Sequence, residues 1–240
     1  MNFQDYSPQS ISDIVFASEQ SEQLIDQLVT GVMPFPKGRG GITGILLCGP
    51  PGTGKSALAK LLPDEMERHR SGYPADFDTK YVQVSVGANG VAMLGPLENW
   101  LLPMPLQASQ KYIILDEVDN LKPDAMNLLK SVMNSLNTAF ILTTNNFHKI
   151  EIGVKSRCHC ISFFPAAPEK WLAFAHRILA DAGLDGVADQ VLLPVIARGN
   201  GSARAIEHAV KKLAIQYCQS IENTSKMIQV QCTEIATHLS

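Results

Sequence analysis

Gly49-Pro50-Pro51-Gly52-Thr53-Gly54-Lys55-Ser56 is the stretch that decides how the rest of the chain is read. It fits G-x-x-x-x-G-K-[ST] without a mismatch, between a predicted buried strand, Ile42–Cys48 (ITGILLC), and a predicted helix, Ser56–Arg68 (SALAKLLPDEMER). Glycines let consecutive backbone N–H groups turn inward around a phosphate, and the helix that follows adds its positive N-terminal end. Lys55 is suited to neutralise the β/γ oxygens of a nucleoside triphosphate, and the Ser56 hydroxyl to ligate Mg²⁺. The plain alternative is a glycine-rich turn beside a surface lysine; a full motif in a strand-turn-helix setting leaves it little room.

Working outward, four more short apolar runs read as strands: Tyr81–Val86 (YVQVSV), Lys111–Leu115 (KYIIL), Ala139–Thr143 (AFILT) and His159–Phe164 (HCISFF). Between the third and fourth strands, Lys122–Leu136 has apolar residues at helical spacing and Pro123 suited to its first turn. Strands alternating with helices predict an α/β fold, a three-layer parallel sheet covered on both faces. After Pro165 the pattern becomes helical throughout, over Glu169–Ala182, Val187–Arg198 and Ser202–Cys218, with Gly199-Asn200-Gly201 as a break and Pro194 as a candidate kink. The expected organisation is an α/β domain over residues 1–164, a small three-helix domain over 165–220, and a tail over 221–240.

The second chemical element is Ile113-Ile114-Leu115-Asp116-Glu117. A strand ending in two carboxylates puts them at the carboxyl edge of the sheet, where ligands sit in α/β folds. Asp116 can hold Mg²⁺, and Glu117 can polarise a water for attack on a γ-phosphate. Alone, DEVD is best read as a solvated acidic loop; beside the phosphate loop it becomes a catalytic candidate. Asn145, after the fourth strand, could orient that water or sense the phosphate. Thr144 and Asn146 are close rivals, and asparagines after strands are often turn formers. Arg157 and Arg204 carry the fork of donors that spreads phosphate charge, although a lone arginine is by default a weak surface ion pair.

Composition narrows the classes. The 240 residues include 20 Lys and Arg against 23 Asp and Glu, a net charge of −3, so no polycationic sleeve for nucleic acid exists. No apolar run is long enough to span a membrane, and MNFQDYSPQS does not read as a secretory signal. Five cysteines, an odd number, suit reduced thiols and a cytoplasmic setting. Cys158-His159-Cys160 has no second ligand pair and alternates like a strand, so packing is expected rather than zinc. Trp100 and Trp171 fall in apolar helical settings and are expected in the core, and His176 and His208 on helix surfaces.

Together these pieces resemble the AAA+ ATPases, and among them the small subunits of sliding-clamp loaders of the replication-factor-C and phage type. The resemblance runs from about Tyr6 to residue 215. Tyr6-Ser7-Pro8 with Ile11-Ser12-Asp13-Ile14-Val15 resembles the adenine-side motif, which implies that Tyr6 and Val15 line the base while Gly49–Ser56 and Ala57 hold the phosphates of ATP. The resemblance also implies an AAA+ core with a helical lid, a first sensor at Asn145 and ATP hydrolysis with Mg²⁺. Val154-Lys155-Ser156-Arg157-Cys158 is similar to the Ser-Arg-Cys box, implying that Arg157 reaches a neighbouring subunit's ATP. Gly201-Ser202-Ala203-Arg204 is similar to the second sensor, implying that Arg204 touches the γ-phosphate of its own subunit. The implied partners are copies of itself or related AAA+ subunits, DNA and a sliding clamp.

Two departures bear on that picture. Residues beyond about 220 are too few for the collar domain that such subunits carry, and Val86-Gly87-Ala88-Asn89-Gly90-Val91, where they often grip DNA, has no Lys or Arg. An ATP-driven replication motor therefore competes with an ATP-dependent assembly or switch module that recruits another protein and hydrolyses slowly. Lys122 and Lys130 are the nearest candidate DNA contacts. A protein-unfolding ring ranks last, because GANGVAML offers no aromatic pore residue.

Overall fold

The computed structural model describes residues 3–36, 41–87 and 89–238, the side chains of 222–238 excepted. Five strands form one parallel sheet: β1 Gly44–Cys48, β2 Thr79–Gln83, β3 Lys111–Asp116, β4 Thr138–Thr144 and β5 Cys158–Ser162, in the spatial order β2-β3-β4-β1-β5. Burial follows strand position. The three inner strands are buried along their whole lengths, as a sheet covered on both faces requires, whereas edge strands β2 and β5 are only partly buried.

Helices α1 Glu19–Val29 and α2 Lys55–Arg70 cover one face, where Ile45, Leu47, Leu58, Leu62, Tyr112 and Ile141 form a core. Helices α3 Gly90–Leu101 and α4 Pro123–Val132 cover the other, around Leu46, Ile113, Leu115, Phe140 and Leu142. A short helix, α5 Ile152–Lys155, leads into β5. Neither α1 nor α3 was anticipated as a distinct helix. The segment expected as a loop at Gly90–Leu94 is instead the start of α3, whose Asn89 carboxamide accepts from the Ala92 N–H at 3.2 Å.

The rest of the chain is helical: α6 Leu172–Asp181, α7 Asp189–Arg198 and α8 Ala203–His238. These belong to a second compact unit that starts at Ala167 and also takes in the described residues up to Tyr6, while Ser7–Ala166 forms the α/β unit. The expected break near residue 220 does not occur. Helix α8 runs on as a single element of 36 residues, a stretch with neither Gly nor Pro to stop it.

Trp171 is buried as expected, but Trp100 is only half-buried. The Lys111 ammonium lies 4.7 Å from its ring centroid and donates to its carbonyl oxygen at 2.5 Å, so the tryptophan roofs a buried lysine at the edge of the core. Cys158 and Cys160 sit on edge strand β5, one buried and one exposed, and no metal-binding cluster exists among the described residues. His208 is exposed and His176 half-buried beside Asp189.

Candidate active site

The phosphate loop leaves central strand β1 at the carboxyl edge of the sheet and runs into α2. Its glycines are required by geometry. At Gly49, with φ +156°, an added Cβ would lie 2.0 Å from the Phe163 carbonyl oxygen; Gly54 caps α2 at φ +99°. The loop is braced on one atom: the Pro50 carbonyl oxygen accepts from the Thr53 hydroxyl at 3.0 Å and from the Lys55 ammonium at 2.6 Å. Lys55 is 5% exposed. Burial pulls its pKa below the usual lysine value, with Asp116 and Asp119 acting in the opposite direction. A buried ammonium at the mouth of a helix N-terminus is a site prepared for an anion.

Asp116, 5% exposed, ends β3 and gathers three hydroxyls from three different elements. Ser56 donates to Oδ1 at 2.8 Å, Thr143 donates to the same oxygen, and Tyr81 donates to Oδ2 at 2.8 Å. The Tyr81 phenol is pushed up to about 12 by its burial and by this carboxylate. Ser56 keeps its lone pairs free for a cation while its proton rests on Asp116. This set of hard oxygen donors fits Mg²⁺, which prefers oxygen ligands and holds few from the protein itself.

Glu117 has φ +62°, a left-handed conformation that costs a non-glycine residue about 1 kcal/mol or more. Its backbone N–H donates to the Thr143 hydroxyl at 2.9 Å. One hydroxyl thus ties both acidic residues together, accepting from Glu117 while donating to Asp116. The Asn120 carboxamide donates to the Val84 carbonyl oxygen at 2.8 Å and makes a longer contact, 3.4 Å, with Glu117 Oε2.

The three candidates at the end of β4, Thr144, Asn145 and Asn146, separate by what already occupies them. The Thr144 hydroxyl donates to Asp119 at 3.0 Å, and the Asn146 side chain accepts from the His148 N–H at 3.2 Å. Asn145 holds Asp119 only through its backbone N–H, at 3.2 Å, and is exposed. It borders a cavity of about 450 Å³ that Gly49, Pro50, Phe147, Cys160 and Phe164 also line.

Not every predicted residue gathers here. Arg157 stands at the amino end of β5; its guanidinium donates to the Gly153 carbonyl at 2.7 Å and to Asn134 at 3.2 Å. Its carbonyl oxygen accepts from the Gly44 N–H at 2.8 Å, at the start of β1, so the length of that strand, about 15 Å, separates it from the phosphate loop. Tyr6 is buried in the helical unit and donates to Asp181 at 2.6 Å; burial and that carboxylate push its phenol up to about 12. Arg204 is exposed in the first turn of α8. Val15 is half-buried next to Ile14, whose side chain comes within 4.0 Å of where a Gly54 Cβ would lie. Lys130, a candidate DNA contact, is paired with Glu151 at 2.9 Å.

Thr143, Tyr81 and Asn120 were missed. Tyr81 and Thr143 lie on the two strands that flank β3, and Asn120 follows the acidic pair in the chain, placements that only the sheet order turns into contacts.

The chain is 26% identical over 214 residues to a replication factor C small subunit from Pyrobaculum islandicum, covering 87% of this chain and 62% of that one. It is 27% identical to the small subunit of Methanocella arvoryzae, covering 81% and 58% respectively. The chain thus spans less than two thirds of the length of these relatives. Among solved structures, a RuvB variant from Thermotoga maritima superposes with a TM-score of 0.62 at 16% identity, over 92% of this chain and 68% of that one, a likeness of fold. No helix among the described residues is long and apolar enough to cross a membrane. Residues 45–166, which run from β1 and the phosphate loop to the end of the α/β unit, match the ATPase family associated with various cellular activities, and the chain belongs to that AAA family.

Proposed function

We propose that this chain binds and hydrolyses ATP with Mg²⁺ as a clamp-loader-type subunit of a DNA-replication assembly. The observation that carries the proposal is the meeting of the Ser56 hydroxyl with Asp116 at 2.8 Å beside the buried Lys55. Phosphate-loop residues from Gly49 to Ser56 and Ala57 would cradle the phosphates, and Lys55 would exchange its hold on Pro50 for phosphate oxygens. Ser56 and Asp116 would hold the metal. Mg²⁺ held by Ser56 and Asp116 would supply charge neutralisation at the triphosphate. Glu117 would accept a proton from the attacking water, and Asn145, whose side chain is exposed beside the loop, would orient that water or sense the γ-phosphate.

Arg157 lies too far along the sheet to serve its own loop, which supports a role at a neighbouring subunit's ATP. Arg204 would act on the γ-phosphate of its own subunit. Tyr6 and Val15 are proposed on the adenine side, although the Tyr6 hydroxyl is engaged by Asp181. The proposed partners are further copies of this chain or related AAA+ subunits, a sliding clamp and DNA, in the cytoplasm.

A second reading, the assembly or switch module, is favoured by one surface. Leu102, Met104 and Leu106 follow α3 with at least 73% exposure each, and Phe77 is 71% exposed on the turn whose Asp78 holds the Leu106 N–H. Such an edge suits a protein partner. ATPase rates with and without primed DNA, alongside mass measurements in ATP and ADP, separate the two readings. Stimulation by primed DNA supports the motor; nucleotide-dependent association without stimulation supports the switch. Failure to retain nucleotide with Mg²⁺ overturns both.

A further inference from the structure

We infer that Tyr81 is a positioning residue for the metal: its hydroxyl fixes the Asp116 carboxylate so that Oδ1 faces Ser56 and the cation. The inference rests on the reading of Ser56 and Asp116 as the Mg²⁺ ligands. Asp116 stands at the end of β3, and Tyr81 lies on the neighbouring strand, paired in register with Ile114. Positions 81 and 83 of β2 and 114 and 116 of β3 therefore share one face of the sheet, the face that α2 covers. From there the phenol reaches forward to Oδ2 at 2.8 Å. Its ring lies under Lys60, whose ammonium is 4.6 Å from the ring centroid. Lys60 is one turn beyond Ser56 on α2, so the same helix face supplies the metal-site hydroxyl and the cation that seats the tyrosine.

The division of labour between the two carboxylate oxygens is the core of the argument. Oδ1 receives Ser56 and Thr143, on the side of the phosphate loop, and Oδ2 receives Tyr81. With Tyr81 in place, the carboxylate is fixed at both oxygens and cannot turn about its last bond. Without it, Oδ2 has lost its donor, and the carboxylate rocks about the Oδ1 contacts. Outer partners of metal-ligating carboxylates typically account for about tenfold or more in metal affinity. At 40% exposure, Tyr81 is not a core residue whose only task is packing.

The test uses the full chain carrying Tyr81→Phe, which keeps the ring and removes the hydroxyl. A fluorescent ATP analogue is titrated with Mg²⁺, and bound Mn²⁺ is followed by its paramagnetic spectrum in the presence of ADP. The expected result is a Mg²⁺ midpoint raised about tenfold and weaker Mn²⁺ binding, with analogue affinity in EDTA and the nucleotide-free melting temperature both unchanged. An unchanged Mg²⁺ midpoint overturns the inference. A loss of equal size with and without metal, accompanied by a lower melting temperature, overturns it too, because it marks a packing role only. If the unaltered chain binds the analogue under neither condition, the reading of the phosphate loop itself falls. Metal-dependent binding that ignores the substitution removes Tyr81 alone.

Discussion

The Ser56 hydroxyl lies 2.8 Å from Asp116 Oδ1, across 60 residues of sequence and between two different secondary-structure elements. That contact exists because α2 starts at the end of β1 while β3 ends two strands away in the same parallel sheet, so both residues arrive at one carboxyl edge. The Thr143 hydroxyl on the intervening strand closes the gap. The site is therefore assembled by sheet order.

Replacing the attacking base tests the chemistry. Glu117→Gln is expected to bind ATP as the unaltered chain does while turnover falls by about 10²- to 10⁴-fold, the range for a lost general base. Nucleotide titrations and single-turnover rates measure the two separately. Equal turnover in both proteins removes Glu117 from the mechanism.

Lys55→Ala separates binding from stability. Nucleotide affinity is expected to drop by about 100-fold or more, since a charge-assisted contact to phosphate is lost. The nucleotide-free protein should be no less stable in urea, because the buried ammonium is held by a carbonyl and destabilised by burial. A large loss of nucleotide-free stability would show that the lysine is structural.

Arg157→Ala mixed with Lys55→Ala tests action between subunits. Arg157→Ala alone is expected to lose turnover by about 10³-fold or more, as for a missing arginine finger, and Lys55→Ala alone to turn over little because it holds nucleotide weakly. The mixture should recover part of it, because an intact arginine on one chain can serve an intact loop on another. No recovery in assemblies proven mixed by mass would sink the trans role.

Acid stability should depend on two carboxylates at the far end of the sheet. Burial tends to raise the Glu67 pKa, but donors from Ser109, Tyr112 and Ser71 outweigh it and hold the value below the ordinary 4.5. Asp78 is likewise held below its ordinary 3.8 by the N–H groups of Gln107, Ala108 and Leu106. A depressed carboxylate stabilises fully above its unfolded value, and that contribution is lost as pH falls through the folded one. Urea midpoints should therefore fall as pH drops below about 4.5 and keep falling through the lower folded values. Glu67→Gln should cost about 2 kcal/mol at neutral pH and flatten that slope; an unaltered slope would exclude Glu67 as a cause.

Much of this was readable in the sequence. An unbroken apolar strand such as ILLC before a glycine-rich turn reports its own burial, and a phosphate loop requires its glycines locally, so the α/β fold, the loop and the acidic pair were all legible. The neutral helical third after Pro165 was legible from periodicity. Helix α3 contains Gly90, Gly95 and Pro96, residues that disfavour a helix interior and weaken its periodic signal. Helix α8 continues past residue 220 because no glycine or proline stands there to stop it.

What the sequence by itself determined is the kind of chemistry, because a backbone that wraps phosphate and a strand that ends in carboxylates are local necessities. What only the tertiary structure decided is the company those residues keep: Tyr81 and Thr143 on Asp116, Asn120 beside Glu117, Arg157 at the opposite end of β1, Tyr6 buried against Asp181. Those pairings depend on strand order and register, and residues far apart along a chain carry no local signal of which neighbour the sheet will bring them.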